Sequence, residues 1–276
     1  MRGATAESDV FAANRARGSI VLSVDISHGA SRCAQLQEAG CLRLRFPNSH
    51  AAEREAVILN TAGGIAGGDQ LSFDIAVDEG ARLTVTTAAA EKVYRSLGPD
   101  AWIDVRLRIG ASGALRWLPQ EMIVFDRARL RRSIDIELAE NATLVLAESL
   151  FFGRSAMGET LSAGALVDRW RVRRGGRLVF AETVRLDGAI GTKLAQAAVA
   201  HGAQAVATVL VVPGDDSTVA AVRALSQDFG GEVGVSSWNG IVVVRFCAKD
   251  GAHLRRDLIS VLSRCRGGPL PRLWLN

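Results

Sequence analysis

Cysteines and aromatic side chains are scarce in this chain, long apolar runs are missing, and no signature of nucleotide or hydrolytic chemistry is complete. Its 276 residues include four cysteines, Cys33, Cys41, Cys247 and Cys265, far apart and without a C-x-x-C pair. That spacing suits neither a zinc ligand set nor a disulfide framework. The histidines His28, His50, His201 and His253 are equally dispersed, and each reads as a surface or half-buried residue rather than a ligand. No stretch approaches the roughly 20 apolar residues of a membrane span. The start, MRGATAESDVFAANRARG, lacks the apolar core of a secretory signal. The expectation is a cytoplasmic protein with a mobile polar leader over residues 1–17 and a single domain over residues 18–276. A net charge of +4 and a pI near 9.2, without interleaved aromatic and basic residues, argue against a dedicated nucleic-acid binder. They leave a preference for acidic partners. There is no G-x-S-x-G elbow, no H-E-x-x-H and no cysteine beside a histidine.

Glycine is plentiful, and densest in NTAGGIAGGD, residues 60–69. Paired glycines let the backbone reach positive φ and approach a neighbour closely, so this is a shaped loop. A phosphate loop would need Lys and Ser or Thr after the last glycine, but Gly68 is followed by Asp69 and Gln70. A dinucleotide fingerprint would need a helix next, whereas Leu71, Phe73, Ile75 and Val77 alternate as a strand does. The remaining reading is a tight turn between two strands.

Short strands dominate the first 210 residues or so. Period-two alternation marks 71–77, 103–109 and 134–138, while 205–212 and 241–246 are near-continuous apolar runs suited to strands buried on both faces. Helical spacing comes late. Asp216 or Ser217 can cap a helix carrying Val219, Val222, Leu225 and Phe229 before Gly230-Gly231, and another runs through Leu254, Leu258, Val261, Leu262 and Cys265. A short helical turn is expected over Glu91 to Leu97. A turn-then-strand unit recurs about every 30 residues: GARLTVTT from Gly80, GALRWLPQE from Gly113, NATLVLAE from Asn141 and GGRLVFAE from Gly175. The fold class is mainly β. Stacked, helically arranged short strands (β-helix-like or a wound sandwich) and ordinary antiparallel strands launched from Gly turns both fit the repeat.

Within that repeat, Leu83, Leu144 and Leu178 open strands, and four residues on, on the same face, come Thr87, Glu148 and Glu182; the remaining unit has Pro119 there and Glu121 nearby. If the units stack, these groups form a polar column, a cation path or hydrated channel, because buried carboxylates need a cation or water. Otherwise each Glu marks where its strand emerges into solvent. Arginines also follow strand periodicity: Arg43 and Arg45; Arg106 and Arg108; Arg127, Arg129 and Arg131; Arg169, Arg171 and Arg173. They suit a solvated sheet face or docking to an acidic protein surface.

The succession NTAGGIAGGD, TTAAAEKVYRS (86–96), RWLPQEMIVFDRARLRRS (116–133), GRSAMGE (153–159) and the ending PRLWLN resembles the urease accessory protein UreD (UreH) family, in order and over most of the chain. The resemblance implies a non-enzymatic scaffold or chaperone of metallocentre assembly. Such a protein binds urease apoprotein and recruits UreF and, through it, the GTPase UreG for nickel insertion. It implies no tightly bound cofactor, with nickel in transit through an internal water-filled tunnel. Glu182, Glu148 and Thr87 are then the expected lining, and Asp69 shapes or lines the entrance. The Arg127, Arg129, Arg131 and Arg169, Arg171, Arg173 faces become expected docking surfaces, together with exposed apolar residues of the C-terminal helices. Two other classes remain open at this point. One is a hydrolase or lyase on a β-helical scaffold using a carboxylate pair, Glu121 with Asp126 or Glu148 with Glu182; the other is a metal-free protein adaptor.

Overall fold

A computed structural model describes residues 14–47, 52–154, 157–265 and 268–275. His50, the middle of the GRSAMGE motif, the last residue and most of the expected leader lie outside these residues; the first strand already starts at Arg17. Among the described residues seventeen strands run in chain order: β1 Arg17–Ser27, β2 Ala30–Gly40, β3 Leu42–Arg45, β4 Arg54–Asn60, β5 Gln70–Val77, β6 Arg82–Thr87, β7 Glu91–Val93, β8 Ala101–Ile109, β9 Ala114–Leu118, β10 Met122–Val124, β11 Arg129–Leu138, β12 Thr143–Phe152, β13 Gly164–Arg174, β14 Arg177–Gly188, β15 Ala205–Val212, β16 Glu232–Trp238 and β17 Ile241–Ala248. The α-helices described, α1 Ile190–Leu194, α2 Asp216–Arg223 and α3 Gly251–Leu262, fall in the last third.

The chain winds. From β4 to β13 it alternates between two sheets, so each turn of the winding adds one parallel strand to both. The first sheet has the order β14-β13-β11-β8-β5-β1-β2 and the second β16-β17-β15-β12-β9-β6-β4-β3. Leu83, Leu115 and Leu144 stand in one row across β6, β9 and β12, so three of the four recurring units stack as coils. The fourth does not: Arg177 to Glu182 belong to β14, the antiparallel partner of β13 at the edge of the other sheet. The winding stops after β13 because the next crossover is replaced by a hairpin at Gly175-Gly176 that leads into β14.

Alternation along the strands sends one face of each sheet inward, where Leu22, Ile75, Leu107, Leu130, Ile136, Leu83, Leu115 and Leu144 are essentially fully buried. A second core lies on the other face of the second sheet, where Val145, Val209, Val211, Val242 and Val244 pack against Val219, Val222, Leu254, Leu258 and Val261 of α2 and α3. This explains the continuous apolar runs of β15 and β17, which are covered on both faces.

Local details depart from the sequence expectations in three places. Glu91 to Leu97 is not a helical turn: Glu91, Lys92 and Val93 form β7, whose backbone is claimed by parallel pairing with β10. The cap of α2 is Asp215, whose Oδ1 accepts from the Thr218 amide at 2.9 Å, while α3 is capped by Asp250. The α2 helix also ends at Arg223, short of Leu225 and Phe229, and Gly230 and Gly231 instead donate their amides to the buried Asp257 of α3 at 3.0 and 2.9 Å.

Candidate functional site

The Gly-rich segment is a crossover from β4 in one sheet to β5 in the other rather than a hairpin turn. Its glycines are steric requirements. A Cβ on Gly64, at φ +150°, would stand 2.3 Å from the Tyr94 ring, and one on Gly67 would stand 2.1 Å from Ser96 Oγ. Asp69, nearly fully buried, accepts the amides of Ala66 at 2.7 Å and Ala16 at 2.8 Å, closing the loop and pinning the chain just before β1. Asp69 lines neither of the cavities described next; Gly63 and Ile65 of the same loop line the first.

Beside this loop the strands of the second sheet break. β6 ends at Thr87 and resumes as β7, and β9 ends at Leu118 and resumes as β10. The Thr87 hydroxyl spans the break, accepting from the Gln120 amide at 2.9 Å and donating to the Ala89 carbonyl at 3.0 Å. Behind the break is a cavity of about 280 Å³, lined by apolar residues such as Phe73, Val105 and Met122, with Thr87, Glu91 and Gln120 among its polar groups. Burial pushes the Glu91 carboxyl up; donation from Asn60 at 3.1 Å, the Lys92 amide and the Lys92 charge partly offset this.

A second cavity, of about 210 Å³, lies further along both sheets, between β12, β15 and β17 on one side and β13 and β14 on the other. Glu182 lines it and forms a bidentate pair with Arg245 at 2.7 and 2.6 Å. Glu182 therefore reaches this space from the sheet opposite Glu148, through an arginine of β17. In the second sheet itself Glu148 is level with Thr208 of β15, and Thr208 with Arg245.

Arg132 and Glu148 line both cavities. Arg132 projects inward from β11, beside Ile103 of β8 and Asp168 of β13. Its Nε and Nη2 donate to the two oxygens of Asp168 at 2.9 and 2.6 Å, and its Nη1 donates to Glu148 Oε2. The other Glu148 oxygen accepts the Trp117 indole N–H at 2.8 Å. All three charged side chains are below one-tenth exposed. Desolvation alone would lower the Arg132 pKa, but Asp168 and Glu148 more than offset it and hold the guanidinium protonated. Desolvation pushes the Glu148 carboxyl up, opposed by Arg132 and the Trp117 N–H. A single buried cation thus neutralises one of two carboxylates in a low-dielectric interior.

The remaining expected residues lie outside the two cavities, most of them in ion pairs or hydrogen bonds. Arg129 and Arg131 both bind Asp100, at 2.8 and 2.6 Å, with Arg131 5.5 Å from the centroid of the Trp102 ring. Arg127 is exposed, its Nε 3.7 Å from Asp126. Arg169 binds Asp135 at 2.8 Å, Arg171 donates to the Trp170 and Glu182 carbonyls, and Arg173 is level with Glu137. This outer face is a chequerboard of opposite charges. Of the proposed catalytic pair, Glu121 accepts from Arg255 at 3.2 Å and Asp126 from Ser162 and Ala163 of the next connection. Among the described residues no three His, Cys, Asp or Glu side chains converge so as to hold a metal ion, and no helix is long and apolar enough to cross a membrane.

Arg132 and Asp168 escaped the sequence reading although a signal for both exists. Leu130, Arg132, Ile134 and Ile136 share one phase of β11, and Leu166, Asp168, Trp170 and Val172 one phase of β13, so each charge occupies an inward position.

Fold and site together define a wound two-sheet β scaffold with a charged group set between two interior cavities. Residues 16–275 match the family model described as UreD urease accessory protein. The urease accessory protein UreD of Rhodopseudomonas palustris (strain BisB5) is 56% identical over 273 residues, covering 99% of this chain and 96% of that protein. That of Bradyrhizobium diazoefficiens is 54% identical over 269 residues, covering 98% and 97%. UreD 1 of Bradyrhizobium sp. (strain ORS 278) is 52% identical over 273 residues, covering 99% and 98%. The chain belongs to the UreD family of urease accessory proteins. Its relatives are named as accessory proteins rather than enzymes, consistent with a non-enzyme maturation factor rather than the hydrolase or lyase reading.

Proposed function

We propose that this protein is a cytoplasmic urease maturation factor that binds urease apoprotein, recruits UreF and through it UreG, and passes nickel through its interior without retaining it. The maturation role rests on the family match along nearly the whole chain. The passage rests on one observation: two cavities, one beside the strand breaks and one beside β14, both abut Arg132 and Glu148. Carboxylates spaced along a route suit an ion that must enter and leave, whereas a cysteine and histidine cage would trap it. In this reading Thr87 and Glu91 belong to the first cavity and Glu182 to the second, with Glu148 between them. Asp69 shapes the loop beside the first cavity, and the arginine faces of β11 and β13 are the candidate docking surfaces.

The test is a pull-down of tagged chain from cells expressing urease, UreF and UreG, with nickel content and urease activity measured alongside. Recovery of urease and UreF is expected. Glu182→Gln and Glu148→Gln should preserve those complexes while lowering nickel incorporation severalfold. Normal activation in both variants would leave a metal-free adaptor, and recovery of neither partner would overturn the maturation role.

A further inference from the structure

Arg132 stands between the two cavities and lines both. On the second sheet the first cavity lies towards β9, β6 and β4, and the second towards β15 and β17; on the first sheet they lie towards β8 and β5 and towards β13 and β14 respectively. Arg132 on β11 and Glu148 on β12 bridge the sheets between them. Asp168 offers both oxygens to Arg132, and Glu148 divides its two between Arg132 and Trp117. All four carboxylate oxygens are therefore engaged. A guanidinium with these two carboxylates carries a net charge of −1, whereas adding a divalent cation with the guanidinium in place would bring two positive centres together in a desolvated space. With the guanidinium withdrawn, the same two carboxylates would neutralise a divalent ion. Guanidinium and divalent cation are alternative counter-ions of one pair of acids.

We propose that Arg132 is the gate of this interior: its guanidinium occupies Asp168 and Glu148 while no cargo is present, and must swing off them, into an adjoining cavity, for a divalent cation to cross. The gate rests on the passage reading above. It gives the arginine two tasks: with Trp117 it keeps the carboxylate oxygens of the empty route hydrogen-bonded, and by returning to the acids it displaces the cation and prevents trapping. Arg132 acts here as a gating residue, and the lining carboxylates carry the ion.

The test uses the full chain with Co²⁺ alone as probe, in equilibrium dialysis with visible absorption, and nickel delivery to urease in the complex as a separate readout. Arg132→Gln is expected to bind one Co²⁺ at least tenfold more tightly than the unsubstituted chain. It should also slow nickel delivery at least tenfold, because the ion now stays on the acids. Adding Glu148→Gln to it should abolish the extra binding. Arg132→Lys, which keeps the charge but not the two-pronged contact, should fold more readily and shift both readouts in the same direction by less. Should Arg132→Gln fail to fold, the arginine side-chain Nε–H resonance of Arg132 in the unsubstituted chain decides: it is expected to move or broaden on Co²⁺ addition. A folded Arg132→Gln or Arg132→Lys that neither binds Co²⁺ more tightly nor changes delivery would overturn the gate, as would an unmoved resonance. If Glu182→Gln and Glu148→Gln slow delivery in the same series, the passage survives that loss; if neither does, the passage itself has failed.

Discussion

The two ends of the wound sheets are built differently, although the same coils form both. At one end β5 passes to β6, β8 to β9 and β11 to β12 through tight turns. Each is closed by a bond from the fourth residue to the first: Ala81 to Asp78 at 3.1 Å, Gly113 to Gly110 at 3.0 Å and Ala142 to Ala139 at 3.1 Å. The turns also bond to one another, Gly80 to Ala111 and Thr143 to Gly113 both at 2.9 Å. Over them lies apolar core, in which Val77, Ile109, Leu138, Leu83, Leu115 and Leu144 are all buried. At the other end the connections are long, strands break and restart, and aspartates tie the connecting segments down: Asp69 to Ala66, Asp100 to Arg129 and Arg131, Asp126 to Ser162 and Ala163. Both cavities and the Arg132, Glu148 and Asp168 group sit towards that end. Unbroken ladders close a solenoid, and interrupted ones leave interior space that polar groups must fill.

Removing charge from the open end should have the largest effect. Arg132→Met leaves Glu148 and Asp168 buried without a counter-ion and should cost about 3–5 kcal/mol in denaturant unfolding; a near-neutral result would mean that water reaches the group freely. At the closed end Leu115→Ala should cost about 2–5 kcal/mol, since Leu115 is fully buried in the row with Leu83 and Leu144.

Acid should separate the two ends next. The Asp100 carboxyl faces a desolvation cost, but the hydrogen bonds and charges of Arg131 and Arg129 hold it below its usual range; Asp126 is held down by Ser162 and Ala163 in the same way. A carboxyl with a lowered folded pKa contributes stability above its unfolded value, near 3.8, that is lost as pH falls through the folded value. Hydrogen exchange followed as pH falls below about 3.8 should therefore show the 94–100 and 125–128 connections losing protection before the tight turns. Simultaneous loss would break the contrast.

The smallest structural effect should come from Glu182→Ala. Its pair with Arg245 is part exposed, so stability should change by less than about 1 kcal/mol. A larger loss in thermal unfolding would assign Glu182 to holding the two sheets together rather than to the lining of the second cavity.

Legibility in the sequence follows the same division. The closed end is repetitive because each tight turn needs the same chemistry, and Gly80, Gly113 and Asn141 mark it openly. The β15 apolar run was readable from residue 205 to 212 because both its faces are covered. At the open end the repeat misleads: GGRLVFAE copies the pattern but enters a hairpin, and EKV reads as helical until β10 pairs with it. The charges in phase with apolar neighbours, Arg132 and Asp168, were the missed clue.

By itself the sequence determined the strand content, the positions of the recurring turns and the family, since these are carried by local patterns and by short motifs in order along the chain. Tertiary structure alone decided which inward charges meet. Arg132 and Asp168 lie 36 residues apart, and Glu182 and Arg245 63. Whether such groups become partners depends on how many coils, and which hairpin, the winding places between them. A buried charge is stable only beside its counter-charge, and that neighbour is chosen by the packing of the sheets.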